Sequence, residues 1–339
     1  MSRDRSPRRL RRGDRNTLLR RRDRNVLIAA SLIALSLTAS GCMVVHGERE
    51  VLPSATRAEA AKAVTAFTTA YNKADKAYDN SLDAPYLTGP FGDITAARLK
   101  AGHANSPSGN PNHVPLKLSD VKITIPKKAG WPRWFVADAQ GNKTGTARWL
   151  MVFTRGDLGE RWRVAYVTLV APGAVPAFKT DQDGWAEAVP ADSAQLAAAP
   201  GKLSADYATY LKKGGQVFAD GAYTSVERAG RVKRASKPGL VTQFIDRPLT
   251  GGGYAPLALR TGDGGALVFF TTHHYEKQTA YAGTTVPAQG KDVQALTKGE
   301  VKQSLTLEFM SAEVALDPAG SGKVSVLGRV PGLTSAQGE

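Results

Sequence analysis

The chain has 339 residues, with 45 Lys and Arg against 30 Asp and Glu, so its formal net charge is +15. Apolar residues make up 42% of the chain, which excludes a fully disordered chain and a collagen-like repeat and argues against a polytopic membrane protein. The single cysteine excludes an intrachain disulfide framework and a cysteine-rich zinc module.

Residues 1–41 have the features of an export signal. They hold 11 Arg and 3 Asp, and Val26–Thr38 is an uncharged, mostly apolar stretch of 13 residues. A helix of that length is about 20 Å long, short of the ~30 Å hydrocarbon core of a bilayer. A basic region followed by a short apolar region predicts a secretory signal peptide, and the arginines are then a topology signal and not a nucleic-acid site. Both Sec and twin-arginine export remain open.

The residues that follow, Ala39-Ser40-Gly41-Cys42, resemble the lipobox of bacterial lipoprotein precursors. The usual Leu three positions before the Cys is Ala39 here. The resemblance implies cleavage between Gly41 and Cys42, a diacylglyceryl group on Cys42 and a lipid-anchored protein on the extracellular side of the plasma membrane. Two acyl chains give a stable anchor. A buried free Cys42 and an uncleaved signal anchor are the alternatives.

After a tether at 42–53, the pattern predicts a first α+β domain at 54–170. Thr56-Arg57-Ala58-Glu59 has capping-box spacing, and apolar residues then recur in steps of three and four, so Thr56–Asp79 is predicted to be an amphipathic helix. A second helix is expected at Asp93–Ala101. Helices followed by closely spaced strands are typical of an α+β fold with an antiparallel meander. The predicted strands are Leu116–Ile125, Trp134–Ala139, Ala147–Thr154 and Arg161–Val170.

A segment with four prolines, 171–200, is expected to be a linker, followed by a second α+β domain at 201–334 and a tail at 335–339. The second unit should begin with a helix at Ser204–Lys213. A dense basic run, Arg228 to Lys237, is expected to form a loop or a short helix. The predicted strands are Tyr254–Arg260, Ala266–Tyr281, Val301–Leu316 and Lys323–Val330.

Helices followed by a curved antiparallel meander resemble the cone-shaped domains of the nuclear-transport-factor-like and cystatin-like groups. Fold-level similarity implies no activity. The mature chain, including Trp131-Pro132-Arg133-Trp134-Phe135-Val136-Ala137-Asp138, resembles a group of actinobacterial lipoproteins defined by a domain of unknown function. That resemblance implies a location and not a reaction.

The densest feature is a cluster of aromatic residues in the first predicted domain. On a meander, tryptophans can line a concave face and form a platform for a ligand or a sugar; the alternative is a core rich in tryptophan, since aromatic residues dominate cores. The candidate platform residues are Trp131, Trp134, Trp149 and Trp162.

His273-His274 is the pair that most suggests chemistry. Adjacent residues on a strand face opposite sides of the sheet, so the two imidazoles are not expected to share a metal. A metal site would need a further ligand from a neighbouring strand, such as Glu308 or Glu313. No metal and no cofactor are therefore expected, and no motif for phosphate binding or nucleophilic catalysis is found.

The sequence thus predicts a lipid-anchored, non-catalytic binding or scaffold protein at the outer face of the plasma membrane. The mature chain, 42–339, has a net charge of +7 (34 minus 27), which suits proximity to anionic lipid headgroups or to an anionic envelope polymer. Besides the membrane, the expected partner is an envelope protein or an anionic polymer. Nucleic acid is not expected as a partner. The alternative is a small enzyme or small-ligand carrier with a cone-shaped pocket, for which Asp138 or His273 would be the buried ionisable group.

Overall fold

The computed structural model describes residues 50–339, so the predicted signal peptide, with Gly41 and Cys42, lies outside the described residues. The helices are α1 (Arg57–Ala77), α2 (Gly89–Asn105), α3 (Leu203–Lys213), α4 (Ser225–Ala235) and α5 (Lys291–Leu296). The strands are β1 (Leu52–Pro53), β2 (Leu118–Thr124), β3 (Pro126–Lys128), β4 (Arg133–Gly141), β5 (Arg148–Arg155), β6 (Arg163–Val170), β7 (Ala186–Val189), β8 (Ser236–Lys237), β9 (Leu240–Leu249), β10 (Leu257–Arg260), β11 (Ala266–Ala280), β12 (Thr297–Lys298), β13 (Ser304–Asp317) and β14 (Ser325–Gly338).

Helix α1 begins with the predicted capping box. The Thr56 hydroxyl accepts a hydrogen bond from the Glu59 backbone N–H at 3.1 Å, and the Glu59 carboxylate accepts one from the Thr56 N–H at 2.9 Å. The helix ends at Tyr78, which adopts the left-handed conformation with φ 51°. The backbone N–H groups of Thr56 and Glu59, at the start of the helix, are thereby both hydrogen-bonded. The predicted helix is confirmed.

The predicted meander forms a four-stranded antiparallel sheet in the order β2-β4-β5-β6. One face packs on α1, where Phe67 of the helix lies 6.0 Å from Phe153, and Phe153 stacks on Phe135 at 4.7 Å between ring centroids. Burial of these aromatic rings fixes the helix on the sheet. The α+β class predicted from the sequence is confirmed.

The second sheet joins ten strands from all along the described chain. Its main path runs β1-β3-β7-β10-β11-β13-β14-β12, and β9 pairs with β11 and β8. Most pairs are antiparallel, but β3 with β7 and β12 with β14 are parallel. Strands from the two predicted domains therefore share one hydrogen-bonded sheet.

The two sheets pack face to face. Trp134 and Val136 on the inner face of the four-stranded sheet share a buried cluster with Phe269 of the large sheet. On the other face of the large sheet, Tyr207 of α3 packs against Phe270, with ring centroids 5.7 Å apart. The order of layers is helix, sheet, sheet, helix, and each helix layer buries its apolar face on a sheet.

The division into two tandem domains is not confirmed, because Val51–Glu339 forms one compact unit. The expected linker, 171–200, contributes β7, which pairs with β10 on one side and with β3 on the other. Its prolines flank a strand of only four residues, too short for alternation to reveal it. The predicted tail, 335–339, also differs, since β14 extends to Gly338 and pairs with β13.

Candidate functional site

A cleft in the described part of the chain lies between helix α2 and the long strands of the large sheet. It has a volume of about 860 Å³. It forms where α2 packs on β13 and β14, and His273 of β11 also lines it. The lining residues are Ala77, Tyr78, Asp79, Asn80, Asp93, Ala96, Ala97, Lys100, His103, His273, Glu308, Met310, Thr334 and Ser335.

The sheet wall of the cleft holds a close contact between a histidine and a carboxylate. The His273 Nε2 and Glu308 Oε1 atoms lie 2.6 Å apart, and both side chains are partly exposed, 17% and 32%. The Ser335 hydroxyl of β14 donates to the other carboxylate oxygen. The Tyr275 hydroxyl lies 3.4 Å from His273 Nδ1, and burial together with the Glu308 carboxylate raises the pKa of Tyr275. The imidazole is thus held between a carboxylate and a phenol.

The strand period places these groups on one wall. His273 and Tyr275 are two residues apart on β11 and so point to the same face, and Glu308 is paired with Tyr275 in the β11–β13 register. His274 points to the opposite face, where its ring stacks on Phe309 at 4.7 Å. Burial, reinforced by nearby arginines, lowers the pKa of His274 to about 2.

The facing wall is one side of α2. Asp93 accepts a hydrogen bond from the Tyr254 hydroxyl at 2.6 Å, and burial together with this carboxylate raises the Tyr254 pKa to about 12. Helical residues three, four and seven apart share one face. The lining residues of α2 that follow this spacing are Asp93, Ala96, Ala97 and Lys100.

The cleft therefore combines a mainly apolar lining with charged side chains of both signs. Its carboxylates are Asp79, Asp93 and Glu308, and its basic groups are Lys100, His103 and His273. Two hydrogen bonds from Ser81 to Asp79 lower the pKa of that exposed carboxyl. Such a lining can bind an organic molecule that has an apolar body and several hydrogen-bonding groups. Within residues 50–339, no group of three or more His, Cys, Asp or Glu is arranged to hold a metal ion.

The four candidate platform tryptophans are not brought together. Trp134 is 2% exposed and lies between the two sheets, whereas Trp149 and Trp162 pack on the opposite face, towards α1. Alternation along the strands separates them, because residues on neighbouring strands share a face only when register and parity agree. Trp131 lies in the loop before β4, with the Arg133 and Arg155 guanidinium groups each 5.6 Å from its ring.

The other two sequence candidates are separated as well. Asp138 of β4 is paired with Arg148, whose Nε lies 2.7 Å from its carboxylate, and it lines a second groove of about 670 Å³. His273 lies in the main cleft. Two cleft residues, Asp93 and Ser335, were not predicted from the sequence. Asp93 requires knowing which side of α2 faces the cleft, and Ser335 lies where β14 extends into the expected tail. The spacing of Asp93, Ala97 and Lys100 was the available signal.

The described helices offer no membrane span: none of those in residues 50–339 is both long and apolar enough to cross a bilayer. Cys42 and Gly41 lie outside the described residues, so the lipidation and cleavage sites stay predictions.

Comparison with known proteins places the chain in a family. A family model described as "Domain of unknown function (DUF8094)" matches residues 51–338. An uncharacterized lipoprotein of Streptomyces coelicolor is 68% identical over 339 residues, covering 100% of both chains. An uncharacterized lipoprotein of Streptomyces avermitilis is 58% identical over 324 residues, covering 95% of this chain and 97% of the relative.

A second Streptomyces coelicolor lipoprotein is 27% identical over 343 residues, covering 94% of this chain and 95% of the relative. No solved structure matches, so the resemblance to nuclear-transport-factor-like domains is not confirmed. A single family model spans residues 51–338, the region in which the sequence predicts two domains. The chain therefore belongs to the DUF8094 family of actinobacterial lipoproteins, whose shared domain has no known function.

Proposed function

We propose that the protein is a non-catalytic binding protein, anchored by lipid on Cys42 at the outer face of the plasma membrane, that takes a small organic ligand in the cleft between α2 and the large sheet. The observation that carries this proposal is the open cleft of about 860 Å³ with ionisable side chains on opposed walls. Small-molecule sites measure roughly 300–1,000 Å³ and combine an apolar lining with a few polar groups.

The chemistry of the walls favours a ligand with both donor and acceptor groups. Glu308 and Asp93 accept hydrogen bonds, while Lys100 and His103 donate, and the apolar lining includes Ala96 and Met310. The His273–Glu308 pair is held by strands and not by loops. A wall on rigid elements keeps its polar groups oriented before a ligand arrives, which lowers the entropy cost of binding.

The location is supported by the relatives and by the leader. Relatives that match along their whole length are named lipoproteins, and Cys42 follows an apolar segment of signal-peptide length. From Cys42 to Val51 the backbone can extend at most about 30 Å. The folded unit would therefore stay close to the membrane, where it could capture a ligand at the cell surface.

A second candidate function, a small enzyme, is favoured by one observation. The His273 imidazole lies between the Glu308 carboxylate and the Tyr275 hydroxyl on the wall of the cleft. A carboxylate that orients an imidazole is an arrangement used for general base catalysis. Turnover of a bound molecule, lost in His273→Gln but with binding retained, would favour this function over simple binding.

The anchor is tested by cell fractionation. In a Streptomyces host, the wild-type protein should sediment with membranes and carry a diacylglyceryl mass on Cys42. Cys42→Ser should be released to the medium or remain as the full-length precursor. A Cys42→Ser protein that is processed and fractionates like the wild type would refute the anchor.

The cleft is tested with a pair of substitutions on α2. Ala96 lines the cleft, so Ala96→Phe should fill it, whereas Ala104→Phe is a matched change at an exposed position of the same helix outside the lining. The small-molecule fraction of a Streptomyces envelope extract should raise the Tm of the wild type and of Ala104→Phe, but not that of Ala96→Phe. Equal shifts in all three proteins, or a shift in none, would contradict binding in the cleft.

A further inference from the structure

Helix α4 has the reverse of the usual arrangement for a surface helix, because its charged side faces the protein and its apolar side faces outwards. Surface helices normally bury an apolar stripe. Here the residue that α4 buries is Arg231, which is 5% exposed, while Val226 and Val232 are 64% and 76% exposed. These valines and the charges near them therefore determine what the outer side of α4 can bind.

The inner side of α4 is fixed by ion pairs. Arg231 donates to both oxygens of Asp246 on β9, at 2.5 and 3.1 Å, and to Glu227 one turn earlier at 2.9 Å. The Arg231 guanidinium also lies 5.3 Å from the Phe244 ring. Bidentate, buried pairing of this kind sets the rotation of the helix about its axis. The valines are thus held outwards by the structure and are not free to turn into the core.

The outer side of α4 presents a short apolar strip. Val226, Ala229 and Val232 are all exposed and recur at intervals of three residues, and so lie along one side of the helix. Lys233 is exposed within the same strip. An apolar strip with basic neighbours is the composition of helices that lie in the plane of a membrane interface.

Cations that have no carboxylate partner among the described residues lie on α4 and on the segments next to it in the chain. Residues 203–237 contain seven Lys and Arg against three Asp and Glu, a balance of +4 out of +7 for the mature chain (34 minus 27). Among the described residues, no carboxylate lies within 4.0 Å of the basic groups of Lys212, Lys213, Arg228, Lys233 or Lys237, whereas Arg234 is 3.4 Å from Glu227. Arg228 lies beside the end of α3, since a Cβ on Gly214 would meet its guanidinium at 2.8 Å.

We propose that the outer side of α4, with the lysines at the end of α3, is a docking surface for an anionic phospholipid membrane. The unpaired cations complement anionic headgroups, and Val226 and Val232 would be buried at the boundary between headgroups and acyl chains. A soluble anionic polymer would neutralise the cations but leave the valines in water, so the valines favour a membrane. The inference rests on the proposed lipid anchor, because the anchor makes a weak contact effective by keeping α4 near the bilayer.

Vesicle flotation of residues 43–339, which contain the whole compact unit and lack the anchor, tests this surface directly. The protein should bind vesicles of phosphatidylglycerol with phosphatidylcholine more tightly than vesicles of phosphatidylcholine alone, and salt should weaken the binding. Lys233→Gln with Lys237→Gln should weaken binding roughly 25-fold, about five-fold for each cation near an anionic surface. The matched control, Lys73→Gln with Lys117→Gln, changes two exposed lysines elsewhere and should bind like the wild type.

The valines distinguish a membrane from an anionic polymer. Val226→Ser with Val232→Ser should weaken vesicle binding roughly three- to ten-fold but leave binding to soluble polyphosphate unchanged. Val114→Ser with Val121→Ser, at two other exposed valines, should have no effect. Equal binding to both kinds of vesicle, or unchanged vesicle binding by the valine variant, would overturn the proposal. Neither result depends on Cys42, so failure of the anchor in cells would be seen separately.

Discussion

Replacing Glu313 with Gln should change how the stability of the protein depends on pH. Glu313 on β13 is 0% exposed. One carboxyl oxygen accepts a hydrogen bond from the Thr272 hydroxyl at 2.7 Å, Arg329 lies 3.5 Å away, and the other oxygen has no protein partner in the described part of the chain. Burial raises the pKa of Glu313 to about 8, only partly opposed by Arg329.

The sign of the effect follows from proton binding. With a folded pKa of about 8 and an unfolded pKa of 4.5, the folded chain keeps a proton that the unfolded chain releases between these values. The contribution of Glu313 to the free energy of unfolding should therefore fall as pH rises through this window, by about 2.5 kcal/mol between pH 5 and pH 7. Glu313→Gln is neutral throughout and should not show this decrease.

Urea unfolding of residues 43–339, followed by tryptophan fluorescence at pH 5, 6 and 7, measures the difference between the two proteins. Titration of all other groups, including His274, largely cancels in that difference. Glu300→Gln, at an exposed carboxylate, should run parallel to the wild type. If the wild type and Glu313→Gln also run parallel, within roughly 0.5 kcal/mol, the buried, proton-holding carboxyl is refuted.

Three further changes test other parts of the structure. Burial and nearby arginines lower the pKa of His274 to about 2, so the contribution of His274 to the free energy of unfolding should fall by about 1.4 kcal/mol per pH unit below about 6.5. Urea titrations should show this slope in the difference between the wild type and His274→Gln. Arg231→Met leaves the Asp246 carboxylate, 2% exposed, without its cation and should cost about 3–5 kcal/mol in urea unfolding, part of which Asp246→Leu in the same chain should restore. Limited proteolysis of the folded protein should not begin within 171–200, because β7 belongs to the large sheet; two stable fragments from a first cut there would contradict the single unit.

The helix α1 and the four-stranded meander could be predicted because their signals are local. The Thr56–Glu59 capping box spans four residues, and the strands of the meander follow each other at short intervals. The large sheet could not be assembled in this way. It joins Leu52 of β1 to Lys128 of β3, and β7 to β10, and such pairings leave no mark in any short window of sequence.

The candidate site could be predicted only in part for the same reason. Alternation on β11 indicated that His273 and His274 face opposite sides, but it did not specify which carboxylate would meet either ring. Glu308 lies next to His273 through the pairing of two long strands, and Asp93 faces both from a helix 180 positions earlier than His273. Most of the tryptophans predicted to form a ligand platform lie in or against the hydrophobic cores, where their large apolar area is buried.

The proposed function requires that the cleft between α2 and the large sheet holds a ligand in the native envelope. Native mass spectrometry of the lipidated protein, released from Streptomyces membranes in a mild detergent, measures this. The wild type and Ala104→Phe should carry a non-covalent mass above that of the lipidated chain, and Ala96→Phe should lack it. A bare mass for all three proteins, or the same added mass on all three, would contradict a ligand-binding cleft.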